Sequence, residues 1–549
     1  MSVELIFNAQ TIDAPAGATL FDYAEKMSIP VPTSCQKQGK CRECLVEVVE
    51  GMELLTEPTG EEEHLRENFR LSCRCKVNAD AGVIRCHTLR RGSMRIETGA
   101  LDLPEVDHAL DPAVTRDGDR ILLDGKEIAQ STEPIHGLAI DIGTTTVVVR
   151  LHNLETGDLV ADHSFENPQR YGGSDIMARI HYDTQNKDRF LQRTQAAYLK
   201  HTIESFPVDP KTIYEVVVAG NSTMRDIFFR LDVYSIGQKP YRSLTEKEYL
   251  AGERESTSIT SRAKRLGMPI HPEARVYGLP LISGHVGADA AACLLAINLA
   301  HEDRTIVLMD IGTNTELVVG HKDRLLCASC PAGPAFEGGA ISCGMPGLDG
   351  AIESVKLDDQ GNATYNIIGQ DIPEGICGSG LVEVLSELRR IDAMNALGRF
   401  ENDEDRLTID EEHQVFVSES DINELAQAKG ANVAGLHIVL KNFGICMEEI
   451  DRFYLAGGFG RHIDLDAARR IGLIPDMPDE KIVRVGNAAI EGTTQALLSK
   501  PRRDELEALV KTIGHVELEK DPMFFDYFTA GCQFTQVTSD ATEILDRDD

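Results

Sequence analysis

The stretch LAIDIGTTTVVVRL (138–151) returns far downstream as VLMDIGTNTELVVG (307–320). Each copy reads as an apolar strand, an Asp, Ile-Gly-Thr, two polar residues and a second apolar strand, which makes a hairpin with a polar turn. Gly143 and Gly312 let backbone amides approach phosphate oxygens without a β-carbon in the way. Thr144, Thr145, Thr313 and Asn314 add polar side chains, and Asp141 and Asp310 can hold Mg2+, directly or through water. One such turn is a weak signal. Two copies, with apolar strands and helical stretches alternating between them, predict a duplicated α/β unit. The later FYLAGGFG (453–460) strengthens it. No Gly-Lys-Ser/Thr sequence occurs, so a P-loop nucleotide site is not expected.

These residues resemble the duplicated, ribonuclease H-like fold shared by acetate and sugar kinases, heat-shock chaperone ATPases and actin, which binds ATP between two related halves. The resemblance implies that Asp141, Gly143, Thr144 and Thr145 form a first phosphate loop. It makes Asp310, Gly312, Thr313 and Asn314 the second, and sets Gly457, Gly458 and Phe459 at adenosine. VGADAAACLLAI (286–297) and NAAIEGTTQALL (487–498) look like the connecting helices on which the halves hinge. Four Gly-bearing stretches are expected to line the cleft: NPQRYGGSDIMARI (167–180), AGNSTM (219–224), AGPAFEGGAISCGMPG (332–347) and GICGSGLVEVLSEL (375–388).

A different chemistry stands near the start. SCQKQGKCRECLVEV (34–48) sets Cys35, Cys41 and Cys44 in a C-x5-C-x2-C pattern, with Cys73 and Cys75 downstream. Three thiolates close in sequence and a distant fourth suit a 2Fe–2S cluster, which the chain must wrap tightly; Gly39 permits the backbone angles. A zinc site would ordinarily use two close pairs, and zinc or inert thiols are the alternatives. The loop and its flanking β pattern resemble the ferredoxin family in its C-x5-C form, which implies an α+β, β-grasp domain. Through RLSCRCKV (70–77) the resemblance points to Cys73 as fourth ligand. Cys75, on the same side of an expected strand, is the reserve, and Cys86 is structural or free. Cys327 and Cys330 are expected to be buried core thiols.

Residues 1–92 are thus assigned to a ferredoxin-like domain and 137–549 to an actin-like ATPase domain of two related halves. Residues 93–136, rich in Asp, Pro and Gly and without sustained periodicity, are expected to be a linker. The composition, 42% hydrophobic and 26% charged, is that of a globular protein. A net charge of −34 repels phosphate backbones and anionic lipid, so neither nucleic acid nor membrane is an expected partner. No apolar run approaches the roughly 20 residues of a membrane span. The opening MSVELIFNAQTIDAP lacks the basic and apolar regions of a signal peptide. The expected location is the cytoplasm, where the 13 cysteines are sooner thiols or metal ligands than disulfides.

An N-terminal 2Fe–2S domain joined to such an ATPase resembles the reductive activators of corrinoid proteins over nearly the whole chain. The resemblance implies a 2Fe–2S cluster, ATP and Mg2+ as cofactors, and ATP-dependent one-electron reduction of inactive Co(II) to Co(I). It implies as partner the corrinoid protein of a methyltransferase system, and as electron donor a low-potential reductase or ferredoxin; a homodimer is a further expectation. Plant-type clusters lie near about −400 mV and the Co(II)/Co(I) couple lower. Each ~59 mV of mismatch costs about 1.4 kcal/mol, which nucleotide-driven closure could offset by changing cobalt ligation. The short linker also departs from longer members, which carry an extra middle segment. Two other functions fit the same motifs: a small-molecule kinase with a redox-sensing ferredoxin domain, and an ATPase activator of a radical dehydratase.

Overall fold

The computed structural model describes residues 2–538 apart from 9, 67, 90–102, 105–108, 187, 370–371, 403, 459 and 461. In the N-terminal unit, Val3–Phe7 and Gln10–Ala14 pair as an antiparallel hairpin. Thr19 and Asp22 exchange reciprocal bonds that start the helix Leu20–Lys26. The five-stranded sheet runs Gln10–Ala14, Val3–Phe7, Gly82–Thr88, Leu45–Glu50, Phe69–Leu71. Its pair Val3–Phe7 and Gly82–Thr88 is parallel and the rest antiparallel. A mixed sheet closing over one helix is the β-grasp arrangement expected.

The rest is built on two six-stranded sheets. One runs Leu159–Glu166, Thr146–Asn153, His136–Ile142, Ile213–Gly220, Arg275–Gly278, Ile259–Arg262; the other runs Arg324–Cys330, Thr315–His321, Ile306–Ile311, Arg452–Ala456, Ile482–Gly486, with Ile513–His515 added beside Arg324–Cys330. In both, three antiparallel strands are followed by two parallel ones. The repeated sequence supplies the second and third strands each time. The duplication read from sequence is therefore a duplication of the fold.

Between the halves cross the helices Ala288–Ala296 and Ala488–Leu498. A β-carbon at position 492 would lie 1.8 Å from the Ala292 carbonyl oxygen, so only Gly492 lets the helices approach this closely. Cys327 and Cys330 are three apart on one strand and point into different cores. Among the described residues, no helix is long and apolar enough to cross a membrane.

The expectation of a linker over 93–136 fails from Asp111 onward. Val114–Asp117, Arg120–Leu123 and Lys126–Gln130 form a three-stranded antiparallel sheet. Val114 and Ile121 are buried in the core that holds Ala139 and Leu497. The backbone of Asp111 bonds Leu498 and Lys500 on the ATPase unit. Asp124 and Gly125 both take positive φ, as a two-residue hairpin turn requires.

Candidate functional site

The two repeated hairpins face one cleft of about 550 Å³. Asp141 is the penultimate residue of the strand His136–Ile142 and accepts from Asn487 Nδ2 at 3.0 Å. Asp310 sits at the matching place on Ile306–Ile311 and accepts from Cys293 Sγ at 3.5 Å. Asn487 caps one of the two crossing helices and Cys293 lies in the other, so each hairpin is tied to one of them. Burial raises both carboxylates to about 6.

The turns differ in how much they need glycine. A β-carbon at position 143 would meet the Thr146 carbonyl at 2.7 Å, whereas at 312 the nearest atom, Asn314 O, is 3.4 Å away. Thr144 Oγ1 accepts from Asn221 Nδ2 at 3.0 Å. Gly457, at φ 109°, passes so close to Ile311 that a β-carbon would sit 2.2 Å from its carbonyl oxygen; Gly458 faces open space. Phe459 lies outside the described residues.

Three of the four Gly-bearing stretches expected at the cleft do line it, through Asn221, through Phe336 to Gly347, and through Cys377 to Ser379. The fourth does not. NPQRYGG lies beneath the first repeated turn, where Asn167 N donates to Thr145 O at 2.6 Å and Asn167 Nδ2 to Gly143 O at 2.8 Å. Sequence reasoning also missed Glu337, which accepts from Thr145 Oγ1 at 3.1 Å and from Thr313 Oγ1, one hydroxyl from each half. An acidic residue inside a Gly-rich stretch was the available signal.

The cysteine loop brings its thiols together in two pairs. Cys35 and Cys41 are hydrogen-bonded, as are Cys44 and Cys73. Burial raises Cys35, but amides of Cys41, Gln38 and Lys40 and the Cys41 thiol leave it below its ordinary value. The Cys44 thiol, together with the Gly39 amide, brings Cys73 down to about 7 against the opposing effect of burial. Gln36, Lys37, Gly39 and Arg42 all take positive φ, which is how the chain wraps so tightly. Among the described residues, no three metal-ligating side chains converge on one point. Two pairs suit a two-iron cluster, in which each iron takes two thiolates.

The expected strand through RLSCRCKV ends at Leu71. Arg74 N and Cys75 N both bond Leu71 O, closing a helical turn that sends Cys73 and Cys75 apart. Cys75 packs in the ferredoxin core with Val3 and Leu5, and burial pushes it up to about 12. Cys86 is in the same core.

Residues 7–78 match the 2Fe-2S iron-sulfur cluster binding domain, 136–302 the RACo middle region, and 304–545 the C-terminal ASKHA domain of RACo. The chain is 27% identical to the corrinoid activation enzyme RamQ of Eubacterium limosum, over 96% of its own length and 98% of that protein. A solved structure of a reductive activator for corrinoid, iron-sulfur protein matches 97% of this chain and 98% of its own, at 26% identity and TM-score 0.71. The chain belongs to the reductive activators of corrinoid proteins. The [Co(II) methylated amine-specific corrinoid protein] reductase of Methanosarcina barkeri is 23% identical over 72% of this chain and 76% of its own. The stretch that matches the middle region forms the first half of the cleft here.

In this activator the ferredoxin unit is seated on that first half. Leu45, Phe69, Leu71 and Cys73 share a core with Tyr171, Tyr182 and Phe190. The Tyr182 hydroxyl donates to His64 O at 2.7 Å. Both residues between Cys41 and Cys44 reach across: Arg42 lies 4.2 Å over the Phe190 ring, and Glu43 pairs with His201 at 3.1 Å.

Proposed function

We propose that this chain passes single electrons to the cobalt of a partner corrinoid protein, reducing Co(II) to Co(I), and that ATP hydrolysis in the cleft drives the transfer. The observation that carries this reading is a paired-thiol loop seated, through Arg42 and Glu43, on the unit that forms one wall of the cleft. Cys35 with Cys41, and Cys44 with Cys73, would hold the two irons. A 2Fe–2S cluster would supply one-electron transfer at low potential; amides of Cys41, Gln38 and Lys40 point at the Cys35 sulfur and that of Gly39 at Cys73, and Cys44 and Cys73 are buried. The electron enters from a low-potential reductase or ferredoxin.

The charge of the cleft supports Mg2+. Asp141, Asp289, Asp310, Glu316, Glu337, Glu353 and Glu491 line it, against Arg150 and His462 alone among the described residues. A polyphosphate would be repelled from such a wall unless a divalent cation came with it. Asp141 and Asp310, one at each hairpin, are the residues we assign to that cation, and a cation would draw both into the charged form.

The test uses the full chain, a Co(II) corrinoid protein, a low-potential reductant and Mg-ATP, and follows the Co(I) absorption band. Cobalt reduction is expected with the wild-type protein, and Cys73→Ser and Asp310→Ala should each abolish it for different reasons. Cys73→Ser should lose the visible cluster spectrum and keep ATP hydrolysis; Asp310→Ala should do the reverse. Cobalt reduction at the same rate without ATP would defeat the reading.

A further inference from the structure

We propose that Glu337 is a catalytic residue of ATP hydrolysis, orienting the attacking water and accepting its proton. The inference rests on the nucleotide reading above and names a group that reading leaves open.

The backbone around Glu337 is held from both sides. Phe336 is anchored in the core at 1% exposure. Gly338 N bonds Ala335 O at 3.0 Å, and Gly339 N bonds Pro334 O at 2.9 Å. Gly338 has φ 83°, and a β-carbon there would meet Met345 N at 2.4 Å. With its turn locked, the Glu337 carboxylate is delivered to the cleft floor, where Oε2 accepts from Thr145 and Thr313. These hydroxyls come from the two phosphate loops, so whatever they grip lies within one hydrogen bond of a bound terminal phosphate.

Five of the six other carboxylates that line the cleft have a partner of their own, Asp289 at the Ala290 amide at 2.8 Å. Asp141 is held by Asn487 and Asp310 by Cys293. Glu491 is paired with Arg150 at 2.7 Å, and Glu316 accepts from Ser329. Among the described residues, Glu337 is the carboxylate that spans both loops. Burial raises it above the ordinary glutamate value, which makes it a better proton acceptor near neutrality. The fully buried Arg179 opposes that rise by its charge.

In the step, both threonine hydroxyls turn from Glu337 to the γ-phosphate oxygens. The water oxygen forms a bond to the γ-phosphorus, and the bond from that phosphorus to the β,γ-bridging oxygen breaks. ADP leaves with the electron pair, and the water proton passes to the Glu337 carboxylate.

The experiment compares wild-type, Glu337→Gln and Glu337→Asp full-length protein for steady-state ATP turnover and for binding of the non-hydrolysable analogue AMP-PNP. Glutamine keeps the size and still accepts from both hydroxyls but cannot take a proton. We expect kcat of Glu337→Gln to fall at least about a hundredfold, with AMP-PNP binding within about threefold of wild type. Glu337→Asp should restore part of the turnover. Wild-type turnover in Glu337→Gln overturns the proposal. So does a loss of AMP-PNP binding in step with turnover, which marks a purely structural tie. Wild-type protein that neither binds AMP-PNP nor hydrolyses ATP overturns the cleft reading itself, and Glu337 with it.

Discussion

His64 shows how one side chain can set the conditions under which the two units stay together. It is 8% exposed, its ring 4.9 Å from Phe190 and 5.8 Å from Tyr171. Burial, and then the Arg42 charge, bring it from 6.5 down to about 4. Separated from the seat, the imidazole would titrate near its ordinary value. The docked form therefore refuses a proton that the separated form accepts, and acid favours separation. Docking should be independent of His64 above pH 6.5 and lose up to about 1.4 kcal/mol per unit as pH falls towards 4. Hydrogen exchange around Tyr182 and His64, compared with that of His64→Phe at each pH, measures this. The ratio should diverge only below pH 6.5; a constant ratio from 7 to 5 would show that His64 does not govern docking. The variant keeps the backbone oxygen that Tyr182 uses.

At the scale of elements, the crossing of Ala288–Ala296 and Ala488–Leu498 decides how the halves meet. Its small residues let the two backbones approach closely, and Gly492 sits hardest against the neighbouring backbone. Gly492→Ala should destabilise the ATPase unit by roughly 1–3 kcal/mol through overpacking and should slow ATP turnover by displacing Asn487 from Asp141. Gly458→Ala is the control, since no atom lies within 4 Å of the added carbon. Thermal melts of the two variants should separate clearly. Equal melting temperatures would mean that the helices can slide apart at no cost.

Across the whole molecule, the seat of the ferredoxin unit and the first repeated turn share one stretch of chain. Asn167 bonds the loop at Gly143 and Thr145, while Arg170, three residues on, pairs with Glu47 of the ferredoxin unit at 3.4 Å. The double variant Tyr182→Phe/His201→Ala removes two polar ties of the seat, each worth about 0.5–1.5 kcal/mol, without touching a thiol. It should keep its cluster spectrum yet show a larger radius of gyration by small-angle scattering. Scattering identical to wild type would place the energy of the seat in the apolar core alone.

The sequence by itself determined what depends on local geometry. A Gly-Thr turn after an apolar strand and an Asp allows few conformations, so the paired hairpins, Asp141 and Asp310 were legible in it. So was the C-x5-C-x2-C loop, because three thiols so close in sequence must lie close in space. Tertiary structure alone decided what depends on neighbours distant along the chain. Cys75 stands two residues from Cys73, and the turn after Leu71, closed by backbone bonds, carries one into the core and the other to Cys44. The sheet at 114–130 was hidden because its strands are mostly polar on one face and bury only residues such as Val114 and Ile121; the turns Asp117-Gly118 and Asp124-Gly125 were its one local signal. Glu337 left only an acidic residue in a Gly-rich stretch, and the ferredoxin seat left no local pattern at all. Their meaning comes from hydrogen bonds between residues more than a hundred positions apart (Glu337 to Thr145, Tyr182 to His64), and no period or spacing in a sequence encodes a contact made only when the chain has folded.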